Sequence, residues 1–433
     1  MSSLAQSSPT TPTAGRRWLR LAVVVVLVSV GAALLAYGFK ELIALAIQAI
    51  AGSGNATLAA DSKAKWLVGL IVAVGVLVAS EISWMVKCRK GEHVGLEAIA
   101  DAARGEGVGP NLRCTMMRST ATFTAMASMA SLGREAAILE MGGSVGAYAG
   151  RKFRVSVANL AIVGVSAAFA AAYHAPIAAM FYVREHVVPG ASRRATIYAA
   201  VGGLVGFAVS AGALHSKPPL PKGGPLSWPA IELVLFGLVP VYVIARLFFE
   251  LRRHAIHPGA FIRRHRRVTR LIASALAGGM VAMVPLTAGN GMEVISRGAL
   301  GATVSIAVVM MVGKMVATLA TLAAGVPGGV FTPSLTIAAG TGLLVAHACG
   351  FGKVGSGDAR WDAVLALMAV AVVVGAHAPW VAIFVVPELT GDARLLALTI
   401  PTVVGTLGLD FVARRLSGRR ALRPVPVLQD LDI

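Results

Sequence analysis

The chain has 433 residues, of which 56% are hydrophobic and only 14% are charged. Soluble globular domains carry about 25% charged residues, so this composition excludes most soluble classes. Lysine and arginine outnumber the acids 39 to 20, giving a formal net charge of +19. A basic excess often indicates nucleic-acid binding, but here the charges stand between apolar runs too long for a soluble core. The sequence therefore predicts an all-α, polytopic membrane protein.

The N-terminal segment, residues 1–17, is polar and low in complexity, which predicts a disordered cytoplasmic segment. An apolar run over residues 18–39 follows, beside Arg16, Arg17 and Arg20. It is longer than the apolar part of a signal peptide, which has about 7–15 residues. We therefore expect a retained first membrane span.

Further apolar segments recur along the chain and predict one transmembrane domain over residues 18–413. Its first half is placed at about 65–213 and its second half at about 230–413. Several segments are short or broken by glycine and proline, which predicts helices that end inside the membrane where backbone lines a cavity. The short stretch 121–132 is of this kind. The longer segments are 65–86, 155–182, 195–213, 230–249, 271–288, 302–324, 334–350, 362–386 and 393–413.

Arginines concentrate in three segments between or outside the apolar runs. Residues 252–270 contain seven arginines and three histidines without an acid, and residues 414–423 contain five arginines. Together with the N-terminal arginines, they predict that both termini are cytoplasmic and that residues 414–433 form a short basic tail. Since no recognised nucleic-acid fold accompanies the arginines, we expect contact with membrane lipids and no nucleic-acid partner.

An internal repeat relates the two halves. A His-Ala-Pro triplet at His174 is followed eleven residues later by Glu185, and the same triplet at His377 is followed at the same distance by Glu388. Each copy comes after a glycine-rich element. Matched interruptions in two halves are typical of a transporter built from repeats, with its site at their interface.

Three stretches match the motifs of one family. Residues 133–135 read Gly-Arg-Glu, residues 325–333 read Gly-Val-Pro-Gly-Gly-Val-Phe-Thr-Pro, and residues 173–185 begin with Tyr-His-Ala-Pro and end in Glu. With Lys314 and the Pro-Glu-Leu-Thr of residues 387–390, they resemble the CLC family of chloride channels and chloride/proton antiporters. The resemblance covers roughly residues 65–413, and the Pro-Gly-Gly-x-Phe-x-Pro pattern is its most specific part.

The resemblance implies two inverted repeats of tilted and broken helices, assembled as a homodimer with one pore per subunit. It implies transport of chloride or another small anion, with or without protons, in the cell membrane, which is the inner membrane if the source is bacterial. No cofactor, no metal and no enzymatic activity are expected.

An anion at the middle of a bilayer is costly unless donors replace its water. Helix N-termini supply free N–H groups and partial positive charge without a full counter-charge. The resemblance implies that the amides of Val330 and Phe331 coordinate the anion. A tight helix crossing, which glycine also permits, is the alternative. The residues assigned to anion binding are Gly133, Arg134, Gly328, Gly329, Val330 and Phe331.

Glu135 is the main candidate for function, because a carboxylate in apolar surroundings pairs, becomes protonated or competes with an anion. The resemblance implies that it is the gate, closed when ionised and open when protonated. A structural Arg134–Glu135 pair is the alternative. Ala136 and Ala137 stand where the family has Gly-Pro, which predicts a stiffer hinge.

Proton coupling and the inner end of the pathway depart from the family pattern. His186 falls where family antiporters carry a second proton-transferring glutamate, with Glu185 one residue earlier, so these two are candidates for a proton path. Glu92 or His93, depending on register, falls near the position of the inner pore serine, and Arg423 falls near that of the pore tyrosine. Channel and antiporter therefore both remain open.

Two other functions remain alternatives. The departures at the inner positions permit a member that does not conduct and acts as a membrane interaction protein. An intramembrane enzyme would require His93, His186 or Glu135 as nucleophile or base, and no accompanying catalytic motif supports it.

Overall fold

The computed structural model describes residues 14–86, 94–257, 259 and 264–416. Within these ranges the backbone is helical apart from loops and one isolated β-bridge between Gly133 and Gly329. Eight helical stretches of the described chain are long and apolar enough to cross a membrane. The first helix runs from Ala14 to Ala51, beyond the predicted 18–39, because the apolar pattern resumes after Lys40 and Glu41.

The helices of the first half follow one another with short connections. A π-helical turn, Val183–Val187, continues the eighth helix, and a second one, Val209–Ala213, continues the ninth. The helices are α1 (Ala14–Ala51), α2 (Ala56–Asp61), α3 (Lys65–Met85), α4 (Gly95–Arg104), α5 (Leu112–Ala127), α6 (Glu135–Phe153), α7 (Val157–Tyr173), α8 (Pro176–Tyr182) and α9 (Arg193–Ala208).

The second half contains the longest helix after α1. A π-helical turn, Val309–Gly313, joins two of its helices, and short 3₁₀ turns lie at Pro285–Thr287 and Ala393–Leu395. The helices are α10 (Trp228–Ile256), α11 (Arg266–Met283), α12 (Met292–Gly298), α13 (Val304–Val308), α14 (Lys314–Ala323), α15 (Phe331–Ala348), α16 (Ala359–Ala376), α17 (Pro379–Thr390) and α18 (Leu396–Leu416).

The two His-Ala-Pro triplets divide what the sequence predicts as single spans. The run 155–182 is α7 followed by α8, and the run 362–386 lies across α16 and α17. His174 and His377 end the first helix of each pair in the left-handed region, with φ of 57° and 50°. The proline two residues later disfavours helix at the residue before it and suits the first turn of the next helix.

The two copies of the repeat cap each other. The Glu388 carboxylate accepts hydrogen bonds from the amides of Ile177 (2.8 Å) and Ala178 (2.9 Å) at the start of α8. The Glu185 carboxylate accepts from the amides of Trp380 (3.2 Å) and Val381 (3.1 Å) at the start of α17. Each repeated acid therefore satisfies the free N–H groups that begin the other copy's helix.

The helices before these triplets, α7 and α16, are buried along nearly their whole length. Neither contains a charged residue in its central turns, so each packs as an apolar rod surrounded by other helices. Phe169 and Tyr173 of α7 pack on Phe331 at the start of α15, with ring centroids 6.0 and 5.4 Å apart. This packing fixes the position of the second glycine motif.

Candidate functional site

The two glycine motifs lie against each other, although almost two hundred residues separate them. The Gly133 amide donates to the Gly329 carbonyl at 2.8 Å, and the Gly329 amide donates to the Gly133 carbonyl at 2.9 Å. A Cβ on Gly133 would lie 2.5 Å from that Gly329 oxygen. Only glycine permits this approach without a shift of the backbone.

Two helices begin at the bridge. Helix α6 starts at Glu135, two residues after Gly133, and α15 starts at Phe331, two residues after Gly329. The first amides of a helix have no partner within the helix and carry partial positive charge. The bridge thus brings two positive helix ends to one place. Gly328 has a separate role, because a Cβ there would lie 2.4 Å from Leu132.

Glu135 occupies the space between the two helix starts. Its side chain is buried, with 5% of the residue exposed. Oε1 accepts a hydrogen bond from the Thr332 hydroxyl, whereas Oε2 has no hydrogen-bond partner among the described residues. A Cβ on Gly329 would lie 2.4 Å from Oε2, so the carboxylate lies directly over the second motif. The Arg134–Glu135 pair, considered as an alternative, is not formed.

Two hydroxyl groups that the sequence did not single out complete this environment. The Thr332 hydroxyl lies 3.2 Å from the hydroxyl of Tyr173, which is itself buried at the end of α7. Both belong to stretches that carry the family resemblance, but hydroxyl groups are common in apolar helices, so the sequence gives them no separate role. Only the fold shows that they converge on Glu135.

A cavity of about 400 Å³ extends from Glu135 and from the Val330–Phe331 helix start. Its other end is formed by residues of the basic segment 252–270. Among the described residues, the arginines in its wall are Arg118, Arg252, Arg266 and Arg270. Arg252 and Arg270 are each only 6% exposed. The cavity therefore joins a positive lining to the helix starts, which is an environment that favours anions.

The sequence did not identify a second acid in this cavity. Glu140, on α6, lines the same space and is paired with Arg118 of α5. Nothing in the local pattern reveals the pair, because its members lie 22 residues apart on different helices.

The two proton-path candidates are placed differently. His186 lines the cavity, is 9% exposed, and has Nδ1 at 3.2 Å from the carbonyl of Ala376. Glu185 does not line the cavity, since its carboxylate accepts the two amides that begin α17. Of the two residues, His186 is therefore the one that solution in the cavity would contact.

Arg134 faces away from this cavity. It lines a separate space of about 20 Å³ together with Tyr37, Lys40 and Ser216. Arg134 is therefore not among the described residues that line the large cavity. His93 and Arg423 lie outside the described residues.

Comparison with known proteins finds similar sequences and folds. The family model described as voltage gated chloride channel matches residues 74–409. A ClcB-like chloride channel protein of Ralstonia nicotianae is 30% identical over 410 residues, which cover 88% of this chain and 91% of that protein. The H(+)/Cl(-) exchange transporter ClcA of Vibrio parahaemolyticus is 28% identical over 322 residues, covering 68% of this chain and 65% of the relative.

Solved structures show the same fold. A slow cyanobacterial Cl-/H+ antiporter superposes with a TM-score of 0.72 at 19% identity, covering 92% of this chain and 95% of that one. A CLC-type fluoride/proton antiporter superposes with a TM-score of 0.70 at 18% identity, covering 91% and 96%. The prediction of an all-α membrane fold of this type is confirmed. The chain belongs to the CLC family of voltage-gated chloride channels and antiporters, which transport anions across membranes.

Proposed function

We propose that anions cross this protein between the starts of α6 and α15, and that Glu135 is the gate of the pathway. One observation carries the proposal: the Glu135 carboxylate lies between two helix N-termini, and only one of its oxygens is hydrogen-bonded among the described residues. A carboxylate and an anion are attracted to the same positive helix ends. When ionised, Glu135 occupies the place that the anion requires.

Protonation reverses this competition. A neutral carboxyl gains little from the helix ends, so the side chain is free to leave and an anion takes its place. The amides of Val330 and Phe331 then act as donors, and Gly133 and Gly329 keep the backbone close enough for contact. Gly328 acts through its packing on Leu132, and Arg134 serves the opposite side of the bridge. Flux should therefore rise as pH falls.

His186 is our candidate for transferring protons between Glu135 and the basic end of the cavity. It is the titratable group in the cavity wall that falls at the family's second proton position. Glu185 is assigned to helix capping instead. If His186 carries protons, the protein is an anion/proton antiporter.

Orientation and assembly follow from charge and from the family. We place the termini and the basic segment 252–270 in the cytoplasm, so that the large cavity opens inward. We further propose that the protein lies in the cell membrane, which is the inner membrane if the source is bacterial.

We also propose that it forms a homodimer. The stacked rings of Trp380, Phe181 and Phe384 are an apolar surface suited to a second subunit, since Trp380 is 52% exposed. We assign no enzymatic activity.

The test is anion flux from liposomes reconstituted with the purified protein, with internal pH recorded at the same time. Chloride, nitrate and fluoride gradients are applied at several pH values to wild type, Glu135→Gln and a control, Glu106→Gln, whose acid is exposed outside the cavity. We expect flux through wild type and the control to rise as pH falls, and flux through Glu135→Gln to depend much less on pH.

Each result decides a separate claim. Absence of flux for every anion in wild type refutes transport and favours the interaction protein. A pH dependence in Glu135→Gln as steep as that of wild type refutes the gate. Proton movement driven by an anion gradient separates antiporter from channel, and its loss in His186→Gln, with flux retained, supports the assigned proton path.

A further inference from the structure

Glu140 is a second buried carboxylate in the cavity, 5% exposed. It follows Glu135 by five residues on α6, which corresponds to about 7.5 Å along the helix axis. An acid at this depth is costly unless it is paired. Glu140 therefore requires its partner, and the nature of that partner determines what the site can do.

The partner is Arg118, which binds Glu140 through two parallel hydrogen bonds. Nε donates to Oε2 at 3.1 Å, and Nη2 donates to Oε1 at 3.0 Å. This fork-to-fork geometry is the strongest form of the interaction between arginine and an anion. The Arg118 side chain is 14% exposed, and both residues line the cavity, so the pair is reachable from it.

Other charged groups near Glu140 do not replace Arg118. On α4 the backbone at Gly95 closes one side, since a Cβ there would lie 2.7 Å from Oε1. Helix α7 carries no charged residue. The charged residues with described side chains on the remaining helices around α6 are Arg20, Lys40 and Glu41 on α1, Glu97, Asp101 and Arg104 on α4, and Arg113 and Arg118 on α5. Glu135, His186 and Arg252 also line the cavity.

We propose that the Arg118–Glu140 pair is a proton-dependent anion site. A proton that binds Glu140 removes its charge, and the two donors of Arg118 are then available to an anion in the cavity. The exchange is electrically balanced: an ion pair becomes a neutral acid plus a guanidinium–anion pair. This inference rests on the proposed function in one respect, because the anion must reach the cavity.

The geometry also predicts which anions bind best. Two parallel N–H groups match two coplanar oxygens, as they match the carboxylate of Glu140 in the structure. A small planar oxyanion such as nitrate can replace that carboxylate with both hydrogen bonds intact. Chloride is a single spherical acceptor and cannot match the two parallel N–H groups with two separate atoms. The site should therefore prefer nitrate to chloride.

Binding to the detergent-solubilised protein tests the site without any flux. Glu135→Gln serves as the parent protein, because its gate no longer titrates, and nitrate and chloride are titrated calorimetrically between pH 5 and pH 8. We expect affinity to rise up to about tenfold per unit of falling pH, which is the slope for one linked proton. In Glu135→Gln/Glu140→Gln the affinity should be high and independent of pH, because the neutral amide that replaces the Glu140 carboxylate leaves the charge of Arg118 available.

Three further variants separate Glu140 from its neighbours. His186→Gln in the same parent should leave the dependence of anion affinity on pH unchanged. Arg118→Lys should lower the preference for nitrate over chloride, because a lysine keeps the charge but lacks the fork. Arg118→Met/Glu140→Met replaces the pair with apolar side chains of similar size and should lose the proton-linked binding. It keeps the test decisive if Glu140→Gln fails to fold.

Three results would overturn the site. The dependence of anion affinity on pH could persist without Glu140, it could disappear in His186→Gln, or neither anion could bind to the parent protein. Wild-type liposome flux decides the proposed function separately. If flux is present and the slope does not depend on Glu140, the inference fails and the function stands. If flux is absent and the slope depends on Glu140, the site stands and the transport proposal fails.

Discussion

Two kinds of glutamate lie at helix N-termini in this protein, and their hydrogen bonding differs. Glu185 and Glu388 each accept two backbone amides at the start of a helix in the other repeat. Glu135 lies at the bridge between two helix starts, but Thr332 supplies its hydrogen bond, and Oε2 has no partner among the described residues. All three residues are glutamates at helix N-termini, so only their hydrogen-bond partners distinguish them.

This difference in hydrogen bonding underlies the two roles that we propose, a cap for Glu185 and Glu388 and a gate for Glu135. Two amide hydrogen bonds to a charged group are worth about 1.5–3 kcal/mol each, which fixes the side chain. A carboxylate with an unsatisfied oxygen that also lines a large cavity loses much less when it leaves, and protonation lowers that cost further. We therefore expect substitutions at the caps to change stability, and substitutions at the gate to change transport.

We expect the largest effect from a substitution in the Gly133–Gly329 bridge, next to the Glu135 carboxylate. Gly133→Ala places a Cβ 1.8 Å from Glu135 Oε2 and 2.5 Å from the Gly329 carbonyl, so both the side chain and the bridge must move. Overpacking of this kind costs about 1–3 kcal/mol. We expect anion flux to fall about tenfold or more. Gly279→Ala is the matched control, because a Cβ there meets no atom within 4 Å. Equal flux in the two variants would contradict the role of the bridge.

The next prediction compares the change from glutamate to glutamine at Glu388 and at Glu135. Glu388→Gln removes the charge that holds Ile177 and Ala178, and it turns one acceptor oxygen into a donor that faces an amide. We expect a loss of about 1.5–3 kcal/mol in stability, measured as a lower midpoint of thermal unfolding in detergent, with the pH dependence of flux retained. Glu135→Gln should keep the wild-type midpoint or raise it. Equal midpoints in these two variants would remove the distinction between cap and gate.

The sequence predicts part of this arrangement and cannot predict the rest. The glycine motifs, Glu135 and His186 are found because they are local patterns that resemble a family. The repeated acids Glu185 and Glu388 are visible as a repeat, but their capping of each other's helices depends on how the two copies pack.

Pairs formed between distant helices leave no local pattern. Arg118 and Glu140 look like ordinary helix charges in the sequence, and Thr332 and Tyr173 look like ordinary polar residues. Only their convergence in the folded chain identifies them. The sequence predicts the existence of the spans better than their ends, because the left-handed His174 and His377 break runs that are otherwise mostly apolar.

A smaller effect distinguishes the two caps from each other. Glu185 binds its amides at 3.2 and 3.1 Å, whereas Glu388 binds at 2.8 and 2.9 Å. Hydrogen bonds to a charged acceptor weaken as they lengthen. We expect Glu185→Gln to lower the unfolding midpoint by less than Glu388→Gln, with flux of the folded protein unchanged. A loss of proton movement in Glu185→Gln at normal stability would contradict its assignment as a cap and return it to the proton path.

The smallest effect concerns the one hydrogen bond that Glu135 does make. Thr332→Val keeps the shape of the side chain and removes the hydroxyl that donates to Oε1. A donor stabilises the ionised carboxylate, so without it Glu135 should accept a proton at a higher pH and the gate should open there. The pH dependence of flux should therefore move toward higher pH. Tyr173→Phe removes a hydroxyl that touches Thr332 at 3.2 Å, and it should shift the profile in the same direction but less. A shift toward lower pH in either variant would mean that the hydroxyls stabilise the protonated form of Glu135. The gate and the caps would then differ because the gate site favours a protonated carboxyl and the cap sites favour an ionised one.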